Sequence, residues 1–180
     1  MPVLSIRSPE DAVLGAVAPV ALAAAAGTAL VVDLDREGPA YPGELSLADL
    51  TEQGPRRSHL SPPRPGIALL ANGGIGAEES ADVLDALIAG WPAVVLRLPP
   101  AMESERAITV VPLAARMVLP APTGRVVYQR SGWRERAPEG ATVLPRPSRA
   151  TVRRLLSGVN ALPGDRWVRS WRPLWRPPWV

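Results

Sequence analysis

Apolar residues along the chain fall into two alternating patterns. The first is the short continuous run rich in Val, Leu and Ile, which reads as a strand buried on both faces. Such runs are Val3–Arg7, Thr28–Asp35, Gly66–Ala71, Ala93–Leu98 and Ile108–Leu113, with Arg125–Gln129 and Thr142–Leu144 as further candidates. The second is the stretch with helical character. An Ala-rich helix opens after Ser8-Pro9, with Ser8 as N-cap and Pro9 in the first turn, and ends at Gly27. Ser46–Glu52 predicts a short helical turn. Ala77–Ala89 places Ala81, Leu84, Leu87 and Ile88 on one helix face, with Glu78 and Glu79 in its first turn. Ser148 caps a last helix through Leu156, closed by Gly158.

Ala12–Val32 holds 21 residues without a charge, long enough on count to cross a bilayer. Its composition argues otherwise: it is about half Ala, contains Gly15, Pro19 and Gly27, and is flanked by Glu10–Asp11 and Asp33 with no basic anchor. A signal peptide would need a positive start, but Arg7 is outnumbered by Glu10 and Asp11. A helix broken from a buried strand at Gly27–Thr28 is the better parse.

Buried strands alternating with helices predict an α/β fold of three layers: a mainly parallel sheet with helices on both faces, Rossmann-like in the broad sense. The Pro-rich stretches at 38–43, 55–65 and 99–101 read as surface loops. Residues 1–158 form the α/β domain, and residues 159–180 form a separate Arg/Trp/Pro-rich tail. At 180 residues, one domain of this kind accounts for the length.

Composition narrows the chemistry. There is no Cys, so disulfides, thiolate nucleophiles and Cys-ligated metal centres are excluded. His59 is the only histidine. All twenty basic residues are Arg, which removes the phosphate-gripping lysine of a P-loop and any Schiff-base lysine. The net charge of +3 conceals a division. Residues 1–123 carry eight Arg against fourteen acids (−6), and residues 124–180 carry twelve against three (+9). An acidic body with a basic end points to an anionic surface or an acidic partner.

Two elements carry candidate chemistry. Val31-Val-Asp-Leu-Asp35 sets Asp33 and Asp35 at the carboxyl end of a strand, where ligands sit in open α/β sheets. Paired carboxylates there can hold Mg²⁺, as in dehalogenase-like phosphatases, glycosyltransferases and some ATPases, or they can simply cap the following turn. The second acidic pair of the phosphatases is not seen. Gly73-Gly-Ile-Gly76, between a strand and a helix, could cradle a phosphate on its amides. Ala77-Glu78-Glu79 follows in place of Gly-Lys-Ser/Thr, so a tight strand-to-helix turn is the favoured reading. His59 lies in an Arg/Pro/Ser loop without a Gly-x-Ser-x-Gly partner, which leaves a catalytic triad unsupported.

The order of parts resembles a family. A first strand and helix, a strand ending Val-Val-Asp-Leu-Asp, then Ser46-Leu-Ala-Asp-Leu, Ala68-Leu-Leu-Ala-Asn-Gly, and a helix feeding Ala93-Val-Val-Leu-Arg-Leu-Pro-Pro resemble the MinD/ParA class of P-loop ATPases over roughly residues 3–158. Within it the likeness is to CpaE/TadZ-like and septum-site-determining proteins. Asp33 and Asp35 match acid positions of that family. The departures are large. The Gly-rich, lysine-bearing loop reads Ser5-Ile-Arg-Ser-Pro-Glu-Asp-Ala-Val-Leu-Gly15 here, and the later family Asp gives way to Arg97 or Leu98. Without lysines and loop amides nothing neutralises a triphosphate. The resemblance therefore implies a non-catalytic pseudo-ATPase, with Asp33 and Asp35 a vestigial nucleotide or metal site and neither ATP nor Mg²⁺ tightly bound. Its work would be spatial, through contacts with other proteins of a pilus, secretion or division assembly. It would be cytoplasmic or peripheral at the inner membrane. The alternative is a Mg²⁺- or Mn²⁺-dependent phosphatase or nucleotide-sugar transferase built on Asp33-x-Asp35.

The tail adds contact chemistry. Trp167, Trp171, Trp175 and Trp179 recur every four residues among Arg169, Arg172 and Arg176, while Pro173, Pro177 and Pro178 forbid a continuous helix. A helical turn with an extended proline-rich end is expected. Indoles and guanidiniums together suit a partner protein or an anionic bilayer surface. Single-stranded nucleic acid is the weakest of these readings, and fold-back of the tryptophans onto the domain is the structural alternative. On the contact reading, trimming residues 165–180 abolishes localisation.

Overall fold

The computed structural model describes residues 2–62, 64–104, 106–113, 124–132, 136–158 and 164–176. Among these residues seven strands form one sheet: β1 (Val3–Arg7), β2 (Ala29–Asp33), β3 (Ile67–Leu70), β4 (Val94–Arg97), β5 (Ala107–Pro112), β6 (Arg125–Gln129) and β7 (Thr142–Leu144). All pair in parallel, in the order β3-β2-β4-β1-β5-β6-β7. Among the described residues five helices accompany them: α1 (Ala12–Ala26), α2 (Leu47–Gln53), α3 (Ala81–Gly90), α4 (Arg149–Leu156) and α5 (Arg166–Ser170), followed by a 3₁₀ turn at Arg172–Trp175. This is the three-layer α/β arrangement that the alternating pattern predicts.

Two apolar cores flank the sheet. One joins α1, α4, α5 and the 3₁₀ turn through Leu14, Val17, Leu22, Leu155, Trp171 and Leu174. The other joins α2 and α3 through Leu47, Leu50, Val83, Leu87 and Trp91. β2 is buried at all five positions, as a central parallel strand covered on both faces must be. β1 is followed by a crossover to β2 on one side, and its neighbour β4 by one to β5 on the other. The carboxyl ends of β1 and β4 therefore border the crevice where such folds bind ligands.

Local capping departs from expectation at two helices. α1 is capped by Asp11, whose carboxylate accepts the Leu14 amide at 2.9 Å. Ser8 lies too early, because the helix starts at Ala12, and its hydroxyl is instead used to donate to the Val110 carbonyl of β5. α3 starts at Ala81 rather than Ala77. The Ser80 hydroxyl bonds the Gly76 and Ala77 carbonyls, which holds residues 77–80 in a turn. Ser46 and Asp49 form a reciprocal capping box on α2, and these hydrogen bonds hold the Asp49 carboxyl below its usual range.

α1 is apolar around nearly its whole circumference, so the sheet can bury only one side of it. The C-terminal segment covers the rest. Asp165 caps α5 and accepts from Thr151 of α4 at 2.6 Å. The Trp167 indole donates to Gln129 at 2.7 Å, and that of Trp175 to the Leu22 carbonyl of α1 at 2.8 Å. Trp167, Trp171 and Leu174 are fully buried. Residues 164–176 are thus part of the domain's packing rather than a free tail. Each fully buried Trp, at ~150–250 Å² and ~25 cal/mol per Å², contributes on the order of 4–6 kcal/mol of gross transfer free energy. Among the described residues no helix is long and apolar enough to cross a membrane.

Candidate functional site

β2 and β4 are neighbours in a register that sets Asp33 opposite Arg97 at their carboxyl ends. The Arg97 guanidinium lies between the two candidate carboxylates. One nitrogen donates to Asp33 Oδ2 at 3.0 Å and the other to Asp35 Oδ2 at 2.8 Å. The first nitrogen also donates to the Pro39 carbonyl at 2.6 Å. The remaining carboxylate oxygens are engaged as well. Asp33 Oδ1 accepts the Asp35 amide, and Asp35 Oδ1 accepts the Glu37 and Gly38 amides at 3.3 and 3.2 Å. All four oxygens of the pair are therefore held by the chain itself.

The cluster is dry. Exposure is 1% at Asp33, 6% at Asp35 and 2% at Arg97. The Tyr41 ring lies beneath the guanidinium, 5.4 Å from its centre, and the Tyr41 hydroxyl donates to the Ala16 carbonyl of α1. Burial pushes the Tyr41 phenol up. Burial also raises Asp33 to about 6, outweighing the lowering pull of Arg97 and the Asp35 amide. Gly38 is required because a Cβ there would run into Arg97 Nη2 and Asp35 Oδ2. The Pro-rich stretch 38–43, expected on the surface, thus supplies a buried aromatic base and a close backbone approach.

The β1–α1 turn, Ser8–Asp11, borders the same crevice. Arg7 closes β1 by donating to Thr109 and to the Pro100 carbonyl. The N-terminus of α1, the natural place for a phosphate, is already capped by the Asp11 carboxylate. Glu10 adds a second acid whose Oε1 is buried without a hydrogen-bond partner. A cavity of about 440 Å³ remains, lined by Ser8, Asp35, Arg36, Gly38, Arg97 and Pro99 among others. These residues do not fit a magnesium triphosphate: the carboxylates are committed to Arg97 and the helix mouth is anionic.

The glycine loop lies beyond the end of β3 and is tied to this cluster through Asn72. The Asn72 amide donates to the Asp33 and Ile75 carbonyls, both at 3.1 Å, and accepts the Gly74 amide at 2.8 Å. Gly76 N–H goes to Glu79 at 3.2 Å. Gly73 and Gly74 have positive φ, and a side chain on Gly73 would collide with Ser46. The amides of Gly74 and Gly76 therefore serve a turn. His59 accepts the Arg56 amide within its own turn. Among the described residues no group of three or more His, Asp or Glu converges on a metal position.

Of the tail residues, Trp167 and Trp171 are core rather than contact residues, because an apolar α1 needs them as cover. Trp175 is half-buried, and Arg169, Arg172 and Arg176 are exposed. Trp179 lies outside the described residues. Tyr41, Gln129 and Asn72 went unassigned in the sequence reading. The first two are isolated polar-tipped residues whose partners lie far away in sequence.

No family model and no curated protein matches the chain. Solved structures do. One is a ParA family ATPase from Chlorobium tepidum TLS, similar over 96% of each chain at a TM-score of 0.61 and 12% identity. Another is the MinC:MinD cell division protein complex of Aquifex aeolicus, covering 97% of this chain and 96% of the other at a TM-score of 0.55 and 14% identity. The fold is MinD/ParA-like. At these identities the likeness carries the architecture alone. Within the MinD/ParA-like frame, Arg97 and Leu98 stand at the strand end before Pro99-Pro100, and it is Arg97 that turns back onto Asp33 and Asp35.

Proposed function

We propose that the chain is a MinD/ParA-like pseudo-ATPase: a non-catalytic scaffold or localisation protein that works through contacts with other proteins. The observation that carries this reading is Arg97 bound to both Asp33 and Asp35 in a site with no free carboxylate oxygen. Phosphoryl transfer depends on positioned cations that neutralise developing charge. Here the Arg97 guanidinium is consumed by two acids and a carbonyl, and the helix mouth where phosphate would lie is filled by Asp11. Using the acids for Mg²⁺ would mean displacing a buried ion pair, which costs about 3–5 kcal/mol.

The finer placement follows the resemblance to CpaE/TadZ-like and septum-site-determining proteins, and assigns the chain to a pilus, secretion or division assembly. The solved MinC:MinD complex, a cell division assembly, supports a protein partner. Burial of Trp167 and Trp171 favours a protein surface over a bilayer, since it removes two of the indoles that would sit at headgroup depth. We place the protein in the cytoplasm or peripherally at the inner membrane.

Phosphate release from ATP with Mg²⁺ should stay at the buffer blank. Turnover above the blank that Asp33→Asn removes would overturn the reading. The phosphatase or transferase alternative requires Mn²⁺ binding that disappears in Asp33→Asn/Asp35→Asn, and a Mn²⁺ titration followed by electron paramagnetic resonance should find no such site.

A further inference from the structure

The far edge of the sheet carries a second concavity, unrelated to the Asp33–Arg97 cluster. It is a groove of about 850 Å³ at the carboxyl ends of β6 and β7. Among the described residues four arginines line it: Arg130 after β6, Arg146 after β7, Arg149 at the start of α4 and Arg166 at the start of α5. No acid is among its described lining residues, and all four arginines are exposed. The ion pairs found among the described residues involve Arg97 alone, so these four guanidiniums carry no described salt bridge. Val143, Leu144, Pro145 and Pro147 contribute apolar lining. β7 is the outermost strand and, among the described residues, pairs only with β6.

Cationic rim, apolar lining and open strand edge ask for different things of a ligand. The rim asks for several negative charges. The lining asks for apolar side chains, which a phosphate backbone lacks. The edge offers backbone donors and acceptors to an extended chain. Among the described residues no aromatic side chain lines the groove to stack a base. We propose that this groove docks an acidic, extended segment of a partner protein, which adds to the edge of β7, seats apolar side chains against Val143, Pro145 and Pro147, and sets its carboxylates against Arg130, Arg146, Arg149 and Arg166. β7 is three residues long, so the paired stretch is short and charge supplies much of the affinity. Binding therefore weakens steeply with salt. The proposal depends on neither the ancestry of the fold nor the state of the Asp33 cluster.

The test uses the full chain and a fluorescein-labelled (Glu-Val)4 peptide followed by anisotropy. A (Glu-Pro)4 peptide of equal charge serves as comparison, since Pro lacks the N–H that strand addition needs. Saturable binding of the first peptide is expected, at least about tenfold weaker for (Glu-Pro)4 and for Arg146→Glu/Arg149→Glu. An acid at position 149 suits the start of a helix, so α4 should persist in that variant. Arg146→Gln/Arg166→Gln gives a second, charge-neutral check, and thermal melts verify folding of both. Four results would overturn the proposal: no saturable binding, equal binding of the two peptides, insensitivity to both double substitutions, or tighter binding of a DNA duplex through the same arginines.

Discussion

Arg97→Leu should be among the most damaging single substitutions in this chain, and the damage should depend on pH. The guanidinium is 2% exposed, pairs with Asp33 at 3.0 Å and Asp35 at 2.8 Å, and donates to the Pro39 carbonyl. Leucine can fill part of the volume but leaves two buried carboxylates side by side. Removing one partner of a buried ion pair costs about 3–5 kcal/mol, a large part of the ~5–15 kcal/mol that holds a domain together. The sign of the pH effect follows from Asp33, which burial raises from 3.8 to about 6. A group with a raised folded-state pKa favours the fold fully below its unfolded value and loses that contribution as pH rises through the folded one. At about 1.4 kcal/mol per pH unit, this amounts to roughly 3 kcal/mol, lost between about pH 4 and 7. Without Arg97 the raising influence of burial is less opposed, so Asp33 holds its proton to still higher pH. Urea melts followed by circular dichroism should show the full cost at pH 7.5 and about half of it at pH 5, where Asp33 is already largely protonated. Arg97→Leu/Asp33→Asn/Asp35→Asn should recover most of the loss, because no buried charge is left alone. A cost below about 1 kcal/mol at pH 7.5, or equal costs at both pH values, would refute this account of the cluster.

Deleting residues 165–180 should unfold or loosen the domain rather than merely release it from a location, since Trp167, Trp171 and Leu174 cover α1; a truncated chain that retains the wild-type melt would contradict the packing. Trp171→Ala alone should cost about 3–5 kcal/mol by chemical denaturation. Gln129→Ala should cost about 1–3 kcal/mol in the same assay, because it strands the buried Trp167 indole N–H, and Gln129→Glu should be no milder, because it sets a buried carboxylate against the Arg130 and Pro145 carbonyls to which the Gln129 amide donates. Gly38→Ala should cost about 1–3 kcal/mol by pressing a methyl group on Arg97 and Asp35, and the loss should shrink in the Arg97→Leu background.

Much of the architecture was legible because parallel strands buried on both faces and their crossover helices write distinct patterns. β1, β6 and β7 begin and end where the apolar runs do, and β2 to β5 fall within a residue or two of theirs. The α1 cap was misread because Ser8 and Asp11 are both good caps, and the helix begins at Ala12, directly after Asp11. The site was half legible. Asp33 and Asp35 were visible as a strand-terminal pair, and Arg97 as a departure at another strand end. Their union spans 62 to 64 residues and depends on β4 inserting beside β2. The tail posed the opposite problem. Its Trp–Arg periodicity suggested an outward contact, while the signal for fold-back lay elsewhere, in an α1 too uniformly apolar for one side of a sheet to cover.

The central claim, that this MinD/ParA-like fold has lost its nucleotide site to an internal ion-pair cluster, is tested most directly by calorimetric titration of the full chain with ATP and ADP, with and without Mg²⁺. The account predicts no binding heat and no thermal shift under any of these conditions. Binding tighter than roughly 100 μM, about 5.5 kcal/mol, would contradict it.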